Sequence, residues 1–154
     1  MELSKASDIA LELSQWITVN STVKKTNICG SIRRQKPEVK DIDLALLGSM
    51  PDFSKLPGFE ILWSGEKKVG GVFKDIRVDI RTFNEMAEGS MMLHLTGSAY
   101  LNRIMRINAM KKKLKLNEYG LWNRTTEERI PAFSEKEIFQ ALDMQYLDPL
   151  SRSL

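Results

Sequence analysis

The sequence predicts an α+β fold: a small mixed β-sheet with helices on one face, then a mostly helical lobe with a short hairpin. Three observations lead there. Apolar residues recur at helical spacing near the N-terminus, alternate with polar ones in short runs between residues 26 and 83, and return to helical spacing beyond about residue 85. The 154 residues suffice for one compact domain or two small lobes. The change of pattern divides them into expected domains at residues 1–85 and 86–154.

Taken in order, residues 4–19 carry Ala6, Ile9, Ala10, Leu13, Trp16 and Ile17 at intervals of three and four, an amphipathic helix. Residues 26–29 form a short apolar strand running into Gly30-Ser31, a strand-to-helix turn with Ser31 as its N-cap. Residues 41–47 alternate as a strand, and Gly48, Pro51, Pro57 and Gly58 mark a turn-rich connection. Strands are expected over 59–64, 67–74 and 76–83, with Gly65-Glu66 turning the first hairpin. Residues 84–95 read as a helix. Gly97-Ser98 opens a longer one to about residue 113, with Leu101, Ile104, Met105 and Ala109 on its buried side. A hairpin around Asn117-Glu118-Tyr119-Gly120 follows, and Ser134 with Glu137 begins a last helix in a capping box.

Composition excludes several classes of function. With 42% hydrophobic and 28% charged residues the chain is of ordinary globular type. No apolar run approaches the ~20 residues of a membrane span, and no signal pattern opens the chain, so a soluble, intracellular protein (cytoplasmic or virus-associated) is expected. The single cysteine, Cys29, leaves no internal disulfide, and the single histidine, His94, leaves no zinc site of several Cys and His ligands. A metal would be held mainly by carboxylates, which points to magnesium or manganese. The net charge of +3 is modest. Its distribution is uneven: Lys24, Lys25, Arg33, Arg34, Lys36 and Lys40 fall in one stretch, Arg103, Arg106, Lys111, Lys112, Lys113 and Lys115 in another. Two such stretches fit either a groove for a polyanion or two solvated surfaces.

Three carboxylates stand out. Residues two apart on a strand share a face, so Asp41 and Asp43 point away from Ile42, Leu44 and Leu46. In the same way Arg77, Asp79 and Arg81 oppose Ile76, Val78 and Ile80. If the two strands are neighbours, one sheet face packs on helices and the other gathers three carboxylates and two arginines. Crowded like charges need a cation. Two magnesium ions about 3.5–4 Å apart would meet that need, activating a 3′-hydroxyl and stabilising a pyrophosphate leaving group. An Asp-x-Asp strand by itself also fits an ordinary solvated sheet face. Gly30-Ser31 adds backbone N–H groups at a helix start, suited to a phosphate, with the arginine forks of Arg33 and Arg34 close behind; it fits a plain N-cap equally.

The run Gly30-Ser31-Ile32-Arg33-Arg34, seven residues, then Asp41-Ile42-Asp43, resembles the nucleotidyltransferase signature of the family X DNA polymerases, spacing included. Leu95-Thr96-Gly97-Ser98 resembles the family's nucleotide-binding turn, and Asn102-Arg103-Ile104-Met105-Arg106 its minor-groove helix. Leu116-Asn117-Glu118-Tyr119-Gly120 is similar to its thumb hairpin, and Ser134-Glu135-Lys136-Glu137-Ile138-Phe139 to its closing helix. The resemblance covers almost the whole chain. It implies a palm followed by a thumb-like, nucleotide-binding lobe, and template-directed addition of deoxynucleotides in short gaps of DNA. The alternatives are transfer to a non-DNA acceptor and template-independent terminal transfer.

Carried over residue by residue, the resemblance makes Asp41 and Asp43 ligands of two Mg2+ ions, with Mn2+ as substitute. Asp79 becomes ligand of the catalytic one and acceptor of the primer hydroxyl's proton. Gly30, Ser31, Arg34 and Lys40 are implied phosphate contacts; His94 would meet the triphosphate or sugar, and Leu95, Gly97 and Asn102 the sugar and base of the dNTP. Arg77, Arg81, Arg103, Arg106, Lys111, Lys112 and Lys113 are implied on the DNA side, with Glu118 and Tyr119 positioning Arg81 and Arg106 for closure. Several positions depart from the family pattern. His94-Leu95 replaces a pair of aromatics, Lys40 a small glycine, and Ala99 a polar residue. The family's N-terminal lyase domain and helix-hairpin-helix clamps have no counterpart here, as in the reduced viral members. The expectation is therefore a monomer without lyase activity, with a separate DNA-clamping or ligase partner conceivable.

Overall fold

The computed structural model describes residues 1–153 and divides the chain into two compact units, Met1–Phe83 and Asn84–Leu154. The first unit opens with helix α1 (Leu3–Asn20), whose Ala6, Ile9, Ala10, Leu13 and Ile17 are buried at the predicted spacing. Strand β1 (Lys25–Ile28) leads into a single helical turn, α2 (Gly30–Arg33), and then strand β2 (Asp41–Leu47). Strands β3 (Phe59–Ser64), β4 (Lys68–Phe73) and β5 (Ile76–Phe83) complete a five-stranded sheet of order β1-β2-β5-β4-β3. All its neighbours are antiparallel except β2 and β5, which run parallel.

The burial of β2 and β5 follows from alternation. Ile42, Leu44 and Leu46 of β2, with Val78 and Ile80 of β5, have no exposed surface and pack in one core with the apolar stripe of α1. Phe53 and Leu56, from the turn-rich connection, close that core. The Phe53 ring lies 5.6 Å from Trp16 and 5.0 Å from Phe59. Burying each such side chain is worth about 1.5–3 kcal/mol. The polar residues of both strands collect on the opposite face.

The second unit contains α3 (Glu88–Thr96), α4 (Ala99–Lys111), the hairpin β6 (Leu114–Asn117) and β7 (Gly120–Asn123), β8 (Arg129–Ile130) and α5 (Glu135–Ala141). Its core joins Leu93, Leu101, Met105, Ala109, Leu121, Ile138, Phe139 and Leu142. Ser98 caps α4, accepting from the Leu101 N–H at 3.3 Å. Ser134 caps α5 through the Glu137 N–H at 3.1 Å, while Glu137 reaches back to the Phe133 N–H at 2.9 Å. The capping box therefore closes one residue earlier than the reciprocal bond to Ser134 would. Arg152 is fully buried: it pairs with Glu135, donates from Nε to Leu147 O at 2.9 Å, and stacks 5.6 Å from the Phe139 and Tyr146 rings.

Two expectations need correction. Ser31 is not an N-cap: Gly30 already occupies the first helical position, and Cys29 is the cap, without a side-chain capping bond. The hairpin after α4 gains a third strand, β8, paired with β7 through Leu121–Ile130 and Trp122–Arg129. Among the described residues no helix is long and apolar enough to cross a membrane.

Candidate active site

Parallel pairing of β2 with β5 sets the polar face in register. Asp41 lies opposite Arg77, Asp43 opposite Asp79, and Ala45 opposite Arg81. Directly opposed residues point to the same face of a sheet, so the three carboxylates and two arginines share one surface. Arg77 Nη2 and Asp79 Oδ1 form an ion pair at 3.2 Å along β5, both side chains partly exposed. Asp41 is exposed and Asp43 half-buried.

Asp43 sits at the electrostatic centre of this face. Its carboxyl is pushed up to about 7 from the usual 3.8, first by burial, then by the charges of Asp79 and Asp41; Arg34 pulls the other way. Burial in turn lowers the Arg34 guanidinium, against the pull of Asp43. The backbone ties the same residues together, since Cys29 N–H donates to Asp43 O at 2.8 Å. Gly30 adopts φ +62, and a Cβ there would collide with the Asp43 carboxylate. Glycine is thus required twice, by backbone conformation and by space. Ser31 and Arg34 are half-buried on and just after the α2 turn; Lys40 is exposed one residue before β2.

The donor set suits a hard divalent cation, which takes oxygen ligands. Among the described residues no three His, Cys, Asp or Glu side chains form a ready-made metal cage. The geometry explains why. Asp79 is turned toward Arg77 and Asp43 lies against Gly30, so the carboxylates repel without converging. Burial first, and then that repulsion, raises the Asp43 carboxyl, and a cation between the carboxylates would relieve the repulsive part.

In the second unit the predicted residues gather around His94 at the end of α3. Asn102 Nδ2 donates to His94 O at 2.9 Å, and Arg106 Nη2 lies 2.9 Å from His94 Nδ1. Arginine has no acceptor, so Nδ1 must accept and the neutral ring carries its proton on Nε2. That nitrogen faces Glu118 Oε2 at 3.3 Å. The His94–Glu118 pairing had no signal in the sequence. A cavity of about 10 Å³ beside these groups is lined by Ser90, Leu93, His94, Asn102, Met105 and Arg106, among others. Gly97 follows α3 directly, and Ser98 N–H donates to Arg152 O at 3.3 Å. Leu95 is half-buried. Tyr119 N–H donates to Asn117 Oδ1 at 2.8 Å, and its carbonyl accepts from Arg129 Nη1 at 2.9 Å. Arg103, Lys111, Lys112 and Lys113 are exposed on and just after α4.

The chain is similar to known proteins in both sequence and structure. Residues 91–153 match the family model of the DNA polymerase beta thumb. The chain is 32% identical over 137 residues to the repair DNA polymerase X of African swine fever virus (isolate Warthog/Namibia/Wart80/1980), covering 80% of this chain and 78% of the viral one. It is 27% identical over 150 residues to the DNA polymerase/3′-5′ exonuclease PolX of Bacillus subtilis, spanning 92% of this chain but 26% of that larger protein. The Leishmania infantum polymerase beta in a ternary P/T complex is similar in structure, with TM-score 0.86 and 25% identity over all of this chain and 77% of that one.

Proposed function

This chain belongs to family X of the DNA polymerases, and from that premise we propose that it adds deoxynucleotides to a primer 3′ end under the direction of a template, filling short gaps in DNA repair. The observation that carries the reading is the opposition of Asp43 and Asp79 across β2 and β5, with Asp41 on the same face. A pair of divalent cations held here, magnesium with manganese as substitute, would supply Lewis acidity for the attacking hydroxyl and the leaving pyrophosphate. Asp41 and Asp43 would hold both, and Asp79 the catalytic one.

The chain's own residues do the rest. Asp79 is assigned as acceptor of the primer hydroxyl's proton, oriented by Arg77 at 3.2 Å. Ser31 and Arg34, on a turn fixed to Asp43 through Cys29, are assigned to the β- and γ-phosphates, where an arginine fork matches two oxygens. Lys40, one residue before Asp41, adds a flexible positive charge. Gly97 gives the sugar a surface without a side chain, with Leu95 beside it in sequence. Asn102 would meet the base, and Arg106 the template strand. Arg106 is held by His94, which is in turn held by Glu118, so release of this chain of contacts is a means of admitting it to DNA.

Primer extension tests the reading. Gapped and simple primer–templates, and single-stranded primers without template, are supplied with dNTPs and magnesium or manganese. Wild type should extend only templated ends, and Asp79→Asn should lose addition by orders of magnitude with fold and DNA binding intact. Extension of untemplated ends would move the chain to terminal transfer; near-normal activity of Asp79→Asn would refute the assigned mechanism.

A further inference from the structure

Strand β3 is an edge of the first unit's sheet, and it does not keep simple alternation. Phe59 pairs with Phe73 and Ile61 with Gly71, but the register then shifts and Trp63 pairs with Gly70. The extra residue is Leu62. Without that bulge Trp63 would follow Phe59 and Ile61 onto the core face. Side-chain space confirms the switch. A Cβ on Gly71 would meet the Phe59 ring, whereas a Cβ on Gly70 would meet the Trp63 indole. Consecutive strand residues point to opposite faces, so the two rings lie on opposite sides of the sheet.

The face that receives Trp63 is the one bearing the carboxylates. Gly70 pairs with Asp79, and Asp79 with Asp43, so Trp63, Gly70, Asp79 and Asp43 form one row across four strands. The indole covers the glycine beside Asp79, about one strand spacing of ~4.8 Å away. It is 42% exposed, a large aromatic surface left open on a charged face. Cations border it. Lys68 pairs with Arg81 on the same face, and Lys67 precedes it in the turn.

We propose that Trp63, seated over Gly70 by the β3 bulge, is a stacking platform for the 3′-terminal nucleotide of the primer, with Lys68 holding the adjoining backbone phosphate. An open indole bordered by lysines matches a nucleic-acid strand end, which offers a base or sugar face with phosphates alongside. Its place beside Asp79 matches the terminal nucleotide, whose hydroxyl must reach that carboxylate. The inference rests on the polymerase reading of the carboxylate face. The bulge is then a positioning device: one inserted residue transfers an aromatic ring from the core to the reaction face.

The test compares Trp63→Ala, Trp63→Leu and Trp63→Phe on a primer–template whose primer ends in 2-aminopurine. Loss of base stacking corresponds to roughly 5- to 150-fold weaker binding. Trp63→Ala and Trp63→Leu should raise both Kd and KM for primer–template by that factor and abolish the 2-aminopurine fluorescence change expected on binding to wild type. Trp63→Phe should restore most of each. The leucine variant still covers Gly70, so it decides the matter should the alanine variant fold poorly. Wild-type affinity and wild-type fluorescence response in Trp63→Leu would overturn the proposal and leave the ring as cover for Gly70. If wild type extends no primer with either metal, yet its fluorescence response depends on Trp63, the polymerase reading fails while the strand-end platform stands.

Discussion

Replacing Asp43 with asparagine should stabilise the metal-free protein while destroying its activity. The Asp43 carboxyl titrates near 7 in the fold against 3.8 ordinarily. A shift of about three units corresponds to about 4 kcal/mol at 1.36 kcal/mol per unit. The carboxyl's remaining contact with water reduces this ceiling, and about 2 kcal/mol is expected to remain. Between pH 4 and 7 the folded chain binds a proton that the unfolded chain has released, so stability falls as pH rises through that window. Above pH 7 the folded carboxyl is charged and the full penalty applies. Asp43→Asn never carries the charge. In EDTA at pH 8 it should melt about 4–8 °C above wild type, taking 2–4 °C per kcal/mol for a chain of this size. Near pH 4 the two should coincide. Millimolar magnesium at pH 8 should raise the wild-type Tm and leave the variant nearly unmoved, with nucleotide addition abolished in the variant. Thermal unfolding across this pH series reads all of it. Equal Tm values at pH 8, or a gap that persists unchanged at pH 4, would refute the claim that burying Asp43 beside Asp79 and Asp41 burdens the fold.

Gly30→Ala should destabilise the first unit by about 1–3 kcal/mol, because φ +62 strains a side chain; displacement of Asp43 should also remove activity even at temperatures where the fold survives. Replacing Lys111, Lys112 and Lys113 together with alanine should weaken DNA binding equally across sequences and reduce its salt slope by about one per lost phosphate contact. An unchanged slope in a fluorescence titration would make them solvent-facing charges only. Leu95→Phe should sharpen the choice of deoxyribonucleotides over ribonucleotides, since an aromatic ring crowds a 2′-hydroxyl more than leucine does, an effect of about 1–3 kcal/mol. Identical dNTP/rNTP ratios in single-nucleotide insertion would leave Gly97 as the determinant.

Local pattern made much of this molecule legible. The bounds of β2 and β5 could be read because apolar alternation is strict at Ile42-Leu44-Leu46 and Ile76-Val78-Ile80. The same alternation grouped Asp41 with Asp43 and Asp79 with its arginines. Their union on one face was conditional, because the adjacency of β2 and β5 depends on contacts made across the whole β3–β4 hairpin. Serine's capping preference suggested Ser31, but the chain enters α2 with Gly30 at positive φ and Cys29 tied to Asp43, an arrangement set by strand pairing. Arg129–Ile130 is too short a strand to show alternation. The raised pKa of Asp43 and the pairing of His94 with Glu118 depend on burial and distance, which neighbouring letters do not encode. The β3 bulge was hidden for a similar reason: it shows only in how the Phe59 and Trp63 rings lie over Gly71 and Gly70 of the neighbouring strand.

The order of the sheet also bears on how this unit assembles. β3, β4 and β5 form a meander closed by short turns, and β1 pairs with β2. Each block can form from nearby segments, whereas the β2–β5 seam between them must wait for a much longer stretch of chain to close. That seam carries Asp43 against Asp79. Their repulsion thus belongs to a late event, after the main barrier to folding. Removing it with acid or with Asp43→Asn should slow unfolding while leaving the folding rate nearly unchanged. Stopped-flow folding and unfolding limbs recorded at pH 5.5 and pH 8 would show it as a shift of the unfolding limb alone; a shift confined to the folding limb would place the carboxylate seam in the nucleus instead.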